Sequence, residues 1–286
     1  MTENLGETID NYKQQLGKYH QILNTEGKCD RSQLFSEAVM AEHKEKFIQA
    51  HKDGDQWALV EVLLSLRVNA LQISPELRKN LVYELIWNDI FLITTKARNR
   101  FLLSLLGIER KSVRHSLLAL ISVIVSTLKG GEYITQINND IIKKVIDILM
   151  EEEDGSVNQR FCIAILQKIS IKEDTVIYLV KQKIIDFVVN LVQRSQEKKV
   201  HVFSLDFSSA LLANILHAKD TQTYLQERPE QVKGLLTLML QLIWSQVPTS
   251  VLMHLLICLS YLSKDNFKPI CEELAFFDKI SEFVEW

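Results

Sequence analysis

The sequence predicts an all-α protein built as a stack of helical repeats, and three observations carry that expectation. Glycine and proline are scarce, 9 and 4 in 286 residues, whereas a sheet protein needs turn residues every ten positions or so. Hydrophobic residues make up 47% of the chain, enough for a sizeable core. The third observation is a pair of markers that recurs at nearly constant spacing.

Ala119, Ala164 and Ala210 each stand in an apolar helical run, and Leu256 holds the same place in a fourth, at steps of 45, 46 and 46 residues. Fourteen residues after each marker come Tyr133, Tyr178, Tyr224 and Ile270, followed by Ile134, Leu179, Leu225 and Cys271. Between the markers lies a polar break: L-K-G-G-E, S-I-K-E-D, H-A-K-D-T and L-S-K-D-N. Each unit therefore reads as a long helix carrying the alanine, a short helix carrying the Tyr-Ile/Leu pair, and a second long helix. A period near 45 with this content predicts an armadillo/HEAT-like right-handed α-solenoid of about five to six repeats. The small alanine lets neighbouring helices approach, and the Tyr-Ile/Leu pair anchors the short helix. One unit cannot cover its own apolar faces, so the units must stack.

The elements follow in order. Residues 1–54 form an N-terminal helical arm in which Leu5, Ile9, Tyr12, Leu16, Tyr19 and Leu23 line one face at coiled-coil spacing. That face is either a partner-binding helix or a cap folded back on the stack. Residues 55–286 form the repeat domain. Trp57–Leu71 and Pro75–Phe91 are diverged amphipathic helices at its start, with Pro75 suited to a first turn. Ser112, Asp154-Gly155-Ser156, Ser204 and Pro248-Thr249-Ser250 mark helix starts. Leu117–Leu128 is twelve residues long, short of the roughly 20 a membrane span needs, and reads as a helix buried on all sides. The last helix, F-F-D-K-I-S-E-F-V-E-W, is rich in aromatics and is expected to pack on a partner or on another copy through Phe276, Phe277 and Trp286.

A net charge of −3 gives no bulk drive toward nucleic acid or an anionic membrane. The four cysteines lack a disulfide or zinc spacing, and the polar, acidic N-terminus lacks a targeting signal, so the expectation is a soluble protein of a reducing compartment. Catalytic and cofactor signals are missing. Gly130-Gly131 reads as a helix end. Glu151-Glu152-Glu153-Asp154 reads as a solvated turn. His254 and Cys258 sit one helical turn apart among apolar residues and read as a core pair rather than a metal site. No cofactor or metal is expected, and the chain reads as non-enzymatic.

A basic cluster is the sharper feature. Lys96, Arg98, Arg100, Arg110, Lys111, Arg114 and His115 fall close together with Glu109 as the only acid among them. It is either a solvated face or a contact for an acidic partner such as a microtubule surface, and Lys198-Lys199 extends it. Asn214, four residues after Ala210, holds the place of a groove asparagine. Val123, Lys168 and Ser260 hold the equivalent places, so there is no asparagine ladder.

The phrases E-L-I-W-N-D-I-F (84–91), R-F-L-L-S-L-L-G-I-E-R-K-S-V-R-H-S-L-L-A-L-I-S (100–122), G-G-E-Y-I (130–134), A-I-L-Q-K-I-S (164–170), I-I-D-F-V-V-N-L-V (184–192) and S-L-D-F-S-S-A-L-L-A-N-I-L (204–216) occur in that order. On them the chain resembles the LisH-domain, armadillo-repeat-containing protein of basal bodies and cilia over roughly residues 42 to 286. That resemblance implies a scaffold of the cilium, at its axoneme, tip or basal body, working beside tubulin-binding partners and within the cytoplasm and cytoskeleton. It covers the armadillo core, with no LisH segment evident. The functional expectation is a non-catalytic protein-interaction scaffold whose partners are ciliary or microtubule-associated proteins or tubulin itself. Its partner-binding residues would be Arg98, Arg100, Arg110, Lys111, Arg114, Lys168, Asn214, Phe276, Phe277 and Trp286. The alternative is a cytosolic adaptor that takes a linear peptide in its concave groove.

Overall fold

The computed structural model describes residues 37–286 apart from 95–99, 137–138, 198–200, 246, 265–266 and 286. Among the described residues the secondary structure is helical throughout, in sixteen helices. The seam from Leu5 to Leu23, together with Lys96, Arg98, Lys198, Lys199 and Trp286, lies outside the described residues.

Two helices open the stack, α1 (Glu37–Lys52) and α2 (Gln56–Leu71). Four three-helix units follow. They are α3 (Pro75–Trp87), α4 (Arg100–Leu106) and α5 (Lys111–Ile124); α6 (Leu128–Thr135), α7 (Asp140–Glu151) and α8 (Val157–Ile169); α9 (Glu173–Lys181), α10 (Ile184–Glu197) and α11 (Val202–His217); and α12 (Lys219–Gln226), α13 (Pro229–Ile243) and α14 (Thr249–Leu262). A short helix α15 (Lys268–Glu273) and α16 (Phe276–Glu285) close the chain. The helices α2, α5, α8, α11 and α14 each pack on the next and form one continuous row, called here the inner row. The outer helices α7, α10 and α13 each pack on the inner helix that follows them. This is an armadillo-like solenoid, as the 45-residue period predicts.

The markers explain the stacking in part. Ala119 and Ala164 are buried between inner helices, Ala210 is half-buried, and Leu256 is exposed. Of the second marker pair, the second residue does the anchoring in every unit: Ile134, Leu179, Leu225 and Cys271 are all buried. Among the tyrosines only Tyr133 is buried, because its hydroxyl has a partner inside the protein, while Tyr178 and Tyr224 stay half-buried.

Local signals set most boundaries. Asp55 caps α2 by accepting from the Trp57 and Ala58 N–H groups, and Ser74 caps α3, whose first residue is Pro75. Of the expected starts, Ser156 is a cap with a side-chain bond, accepting from the Gln159 N–H at 3.1 Å. Ser112 sits inside α5 beyond an Arg110 cap, Ser204 is buried within α11, and Pro248 caps α14 without a side-chain bond. His201 caps α11 instead, its Nδ1 facing the Phe203 N–H at 3.2 Å.

The expectation for the glycine pair fails. Gly130 and Gly131 lie in the first turn of α6, not at a helix end, and Gly130 donates to Thr127 Oγ1 at 3.0 Å. The acidic run is a turn with Glu151, Glu153 and Asp154 exposed, as expected, but it is also a bonded corner. Glu152 accepts from Ser156 Oγ and Asn158 Nδ2, both at 2.9 Å, and lies 3.7 Å from Arg114. Asp154 pairs with Arg194 at 2.9 Å and accepts from Gln159. The corner closes because it sits where α7 turns into α8, with basic side chains of two neighbouring units reaching over it.

The opening helix joins the core: Met40, Phe47 and Ala50 of α1 are buried, and the Phe47 ring meets Phe101 edge-on at 5.3 Å. No helix among the described residues is long and apolar enough to cross a membrane.

Candidate functional site: the inner face

The row of inner helices carries one face toward the core and one away from it. Arg67 on α2 reaches Phe161 on α8, two helices along the row, with its guanidinium carbon 5.3 Å from the ring centre. Side chains from alternate helices meet only where the row curves inward, so this is the concave side.

At the C-terminal ends of the inner helices the groove positions are occupied by the protein itself. Lys168 Nζ donates to the Ser122 carbonyl at 2.7 Å and to Ser122 Oγ at 3.1 Å. Asn214 Nδ2 donates to the Gln167 carbonyl at 3.1 Å and to Ser170 Oγ at 2.9 Å. Both side chains stand four residues after the alanine marker and reach back to the carbonyl end of the preceding inner helix. They act as staples between units, satisfying carbonyls that a helix C-terminus leaves free. Ser260 bonds within its own helix, to Ile257.

Burial first, and then the charge of Arg78, pulls the Lys168 ammonium down to about 8. The folded pKa is below the ordinary lysine value, so between them the unfolded chain holds a proton that the native state has released. Stability therefore rises with pH through that window. We expect wild type to gain on the order of 2 kcal/mol relative to Lys168→Met between pH 7.5 and 10.5 in urea unfolding. Parallel stability curves for the two proteins would show that Lys168 keeps its ordinary charge.

The basic cluster divides. Arg110 lies flat over the Trp57 ring, 3.9 Å from its centre, and its Nε donates to Ser112 Oγ. Arg114 is largely buried between Glu151 and Glu152 at 3.9 and 3.7 Å. These two members are committed inside the fold, whereas Arg100 and Lys111 are exposed. Phe276, expected to meet a partner, is a core residue at 4% exposure, because α16 folds back on α13 and α15. Phe277 is exposed, and Phe283 packs edge-on against Trp244.

A different cluster occupies the N-terminal half of the inner face. His115 on α5 meets the Phe161 ring edge-on at 5.4 Å, on the same ring that Arg67 covers. Arg160 Nη1 lies 3.2 Å from His201 Nε2 at the start of α11. Phe203 and Phe207 stack at 4.2 Å farther along. Beyond them Asp206 lies 3.6 Å from His254 Nδ1. Ser209 Oγ donates to the Asp206 carbonyl, so its contact with His254 Nδ1 at 3.1 Å is a bond it accepts. Aspartate and serine thus address the same imidazole nitrogen, an arrangement that cannot relay a proton from serine to aspartate as a catalytic triad does. His254 turns to α11, while Cys258 is buried in the core, so the two are not paired.

Sequence reasoning missed Arg67, Arg160 and His201. A signal was present for one of them: the residue four before each marker is polar in three successive units, as His115, Arg160 and Asp206. Arg67 and His201 fall outside the repeat register and left none.

No protein-family model and no curated protein matches the chain. Among solved structures it is similar to a designed armadillo repeat protein, with a TM-score of 0.46 and 15% identity over 82% of this chain and 96% of that one.

Proposed function

We propose that this protein is a non-catalytic scaffold that docks other proteins on the inner face of its solenoid, and that it does so in the cilium, at the axoneme, tip or basal body. The observation that carries the scaffold reading is the inner face itself. Over successive units it presents Arg67, His115, Arg160, His201, Phe203 and Phe207 at least partly to solvent. Five inner helices stacked without a break make that face a rigid, continuous surface. The ciliary part rests on the ordered phrases by which the chain resembles the LisH-armadillo family. Two of them, W-N-D and G-G-E-Y, meet in the fold through the Asp89–Tyr133 bond at 2.8 Å. Partners would be ciliary or microtubule-associated proteins, or tubulin.

The reading as a cytosolic peptide adaptor has one favourable observation, the open groove. It would not use Lys168 and Asn214, which hold neighbouring units together.

Fluorescently tagged full-length chain expressed in ciliated cells is expected to concentrate at basal bodies or along axonemes. A diffuse cytosolic signal would favour the adaptor. Direct microtubule contact is tested by co-sedimentation at low and physiological salt beside an Arg100→Glu/Lys111→Glu variant, since those two cations are exposed. Salt-sensitive pelleting that the variant loses is the expected result for a direct binder. Pelleting by neither protein would mean that any axonemal association runs through other proteins.

A further inference from the structure

On the inner face, Arg160 and His201 bring together more donors than their own contacts can satisfy. His201 Nδ1 faces the Phe203 N–H, and its Nε2 faces the Arg160 guanidinium. A neutral imidazole accepts at one nitrogen only, and an imidazolium at neither. One of these two contacts therefore sets a donor against a donor. In the same place Arg160 Nε is buried and makes no hydrogen bond among the described residues.

The nearby carboxylates do not relieve this. Glu151 and Glu152 are turned to Arg114, Asp154 to Arg194, and Asp206 to His254. Among the described residues no carboxylate pairs with Arg67 or Arg160. His115 registers the resulting field: burial, and then the guanidiniums of Arg67 and Arg160, hold its imidazole below the ordinary range. Two half-buried guanidiniums with no carboxylate beside them leave a local positive field that an anionic ligand can meet.

We propose that this stretch of the inner face binds an acidic, extended peptide segment, with carboxylates seated between Arg160 and His201 and beside Arg67, and apolar side chains along the edges of the half-buried Phe203 and Phe207. A carboxylate oxygen accepts from both the Arg160 and His201 N–H groups, which removes the donor conflict and leaves Nδ1 free to accept from Phe203. The site crosses from α2 to α11, three inter-helix steps of roughly 10 Å each, so about nine extended residues span it. A single-stranded nucleic acid fits less well. The Phe161 ring is covered by Arg67 and His115, and Phe203 and Phe207 stack on each other, so no ring offers a free platform for a base.

The proposal rests on the inner face being the docking face. Its probe is fluorescein-labelled decaglutamate titrated with the full chain at 50 and 150 mM salt, with decalysine and deca-uridylate in parallel. Wild type is expected to bind decaglutamate in preference to both, more weakly at the higher salt. Arg67→Gln/Arg160→Gln is expected to weaken it at least tenfold with an unchanged melting temperature. Lys111→Gln, on the exposed part of the basic cluster, is expected to change it less than twofold. Arg160→Lys serves if the double variant unfolds: it keeps the charge and loses the two-pronged donor, and is expected to lose threefold or more. Absence of decaglutamate binding, an equal loss in Lys111→Gln, or tighter binding of deca-uridylate would overturn the proposal. Partner capture from ciliated-cell lysate by wild type and Phe207→Glu separates the two readings. If decaglutamate fails but Phe207→Glu still loses the partners, the inner face docks something other than an acidic segment. If capture is also unaffected, the docking face lies elsewhere and both readings fall.

Discussion

Gly130→Ala is expected to destabilise the protein by several kcal/mol and to shift its unfolding midpoint well below that of wild type. A Cβ at this position would lie 1.8 Å from the Ile124 carbonyl oxygen, 2.6 Å from the Ile124 carbonyl carbon and 2.9 Å from Thr127 Oγ1. The first two are backbone atoms at the end of α5, so relief requires moving α6 off α5 rather than rotating a side chain. That movement would also open the contacts of Ile134, and overpacking of this kind costs about 1–3 kcal/mol even where side chains can yield. Gly131→Ala is the internal control. Nothing lies within 4 Å of its Cβ, and alanine in a helix is favoured over glycine by about 0.5–1 kcal/mol, so this variant should be neutral or slightly more stable. Urea unfolding of the pair separates the contact from helix propensity. Equal stabilities would mean that α6 can lift from α5 at little cost.

This glycine also shows where sequence reading runs out. The repeat was legible because a period of 45 to 46 residues repeats the same physical need, a small residue or an anchor at one place in every unit. The helices around Ala119 and Ala164, and the buried residue after each tyrosine marker, follow directly from it. A glycine pair after an apolar helix, by contrast, has the same local pattern whether it ends one helix or lets the next one start in contact with it. Only the distance to Ile124 distinguishes the two. The bonds within the acidic run were hidden for a related reason. Its partners, Arg114 and Arg194, stand about 40 residues away on either side, which is one unit in each direction, and charge runs are judged from their immediate neighbours.

The candidate site was less legible than the fold. Basic residues that cluster in sequence, such as Arg110 and Arg114, turned out to face Trp57 and the Glu151–Glu152 corner. The nitrogen-bearing side chains that share a surface, Arg67, His115, Arg160 and His201, come from four different helices or their caps. A solenoid brings together residues one period apart, so its surface chemistry is written in the repeat register rather than in consecutive positions. Phe276 is the converse case: an aromatic at the start of a closing helix has no repeat partner to show that it points inward.

The second large effect is expected at Asp89, the acid of the W-N-D phrase. Its carboxylate is buried and accepts from the Ile93 N–H at 2.8 Å, the Thr94 N–H at 3.0 Å, Thr94 Oγ1 at 2.7 Å and the Tyr133 hydroxyl at 2.8 Å. The Tyr133 oxygen in turn accepts from the Phe91 N–H at 3.1 Å. The chain leaves α3 through a left-handed residue, Asp89 at φ 45°, and another, Leu92 at φ 53°, and the carboxylate satisfies the N–H groups that this turn leaves open. Burial, and then the Asp89 charge, raise the Tyr133 phenol far above its ordinary range, so tyrosine remains the donor in this pair across the whole range of native pH. Asp89→Ala removes four accepted bonds and strands the Ile93 N–H and the Tyr133 hydroxyl in a buried site, with an expected cost of about 3–5 kcal/mol. Tyr133→Phe removes one donor and one acceptor and should cost about 1–3 kcal/mol. The double variant should cost less than the sum, because the Tyr133 hydroxyl has already lost its acceptor once Asp89 is gone. Additive losses in the double-mutant cycle would show that the α3 exit and α6 are held independently. A coupled result would identify the Asp89–Tyr133 bond as the tie that sets the first complete unit against the second, and so fixes the start of the inner row.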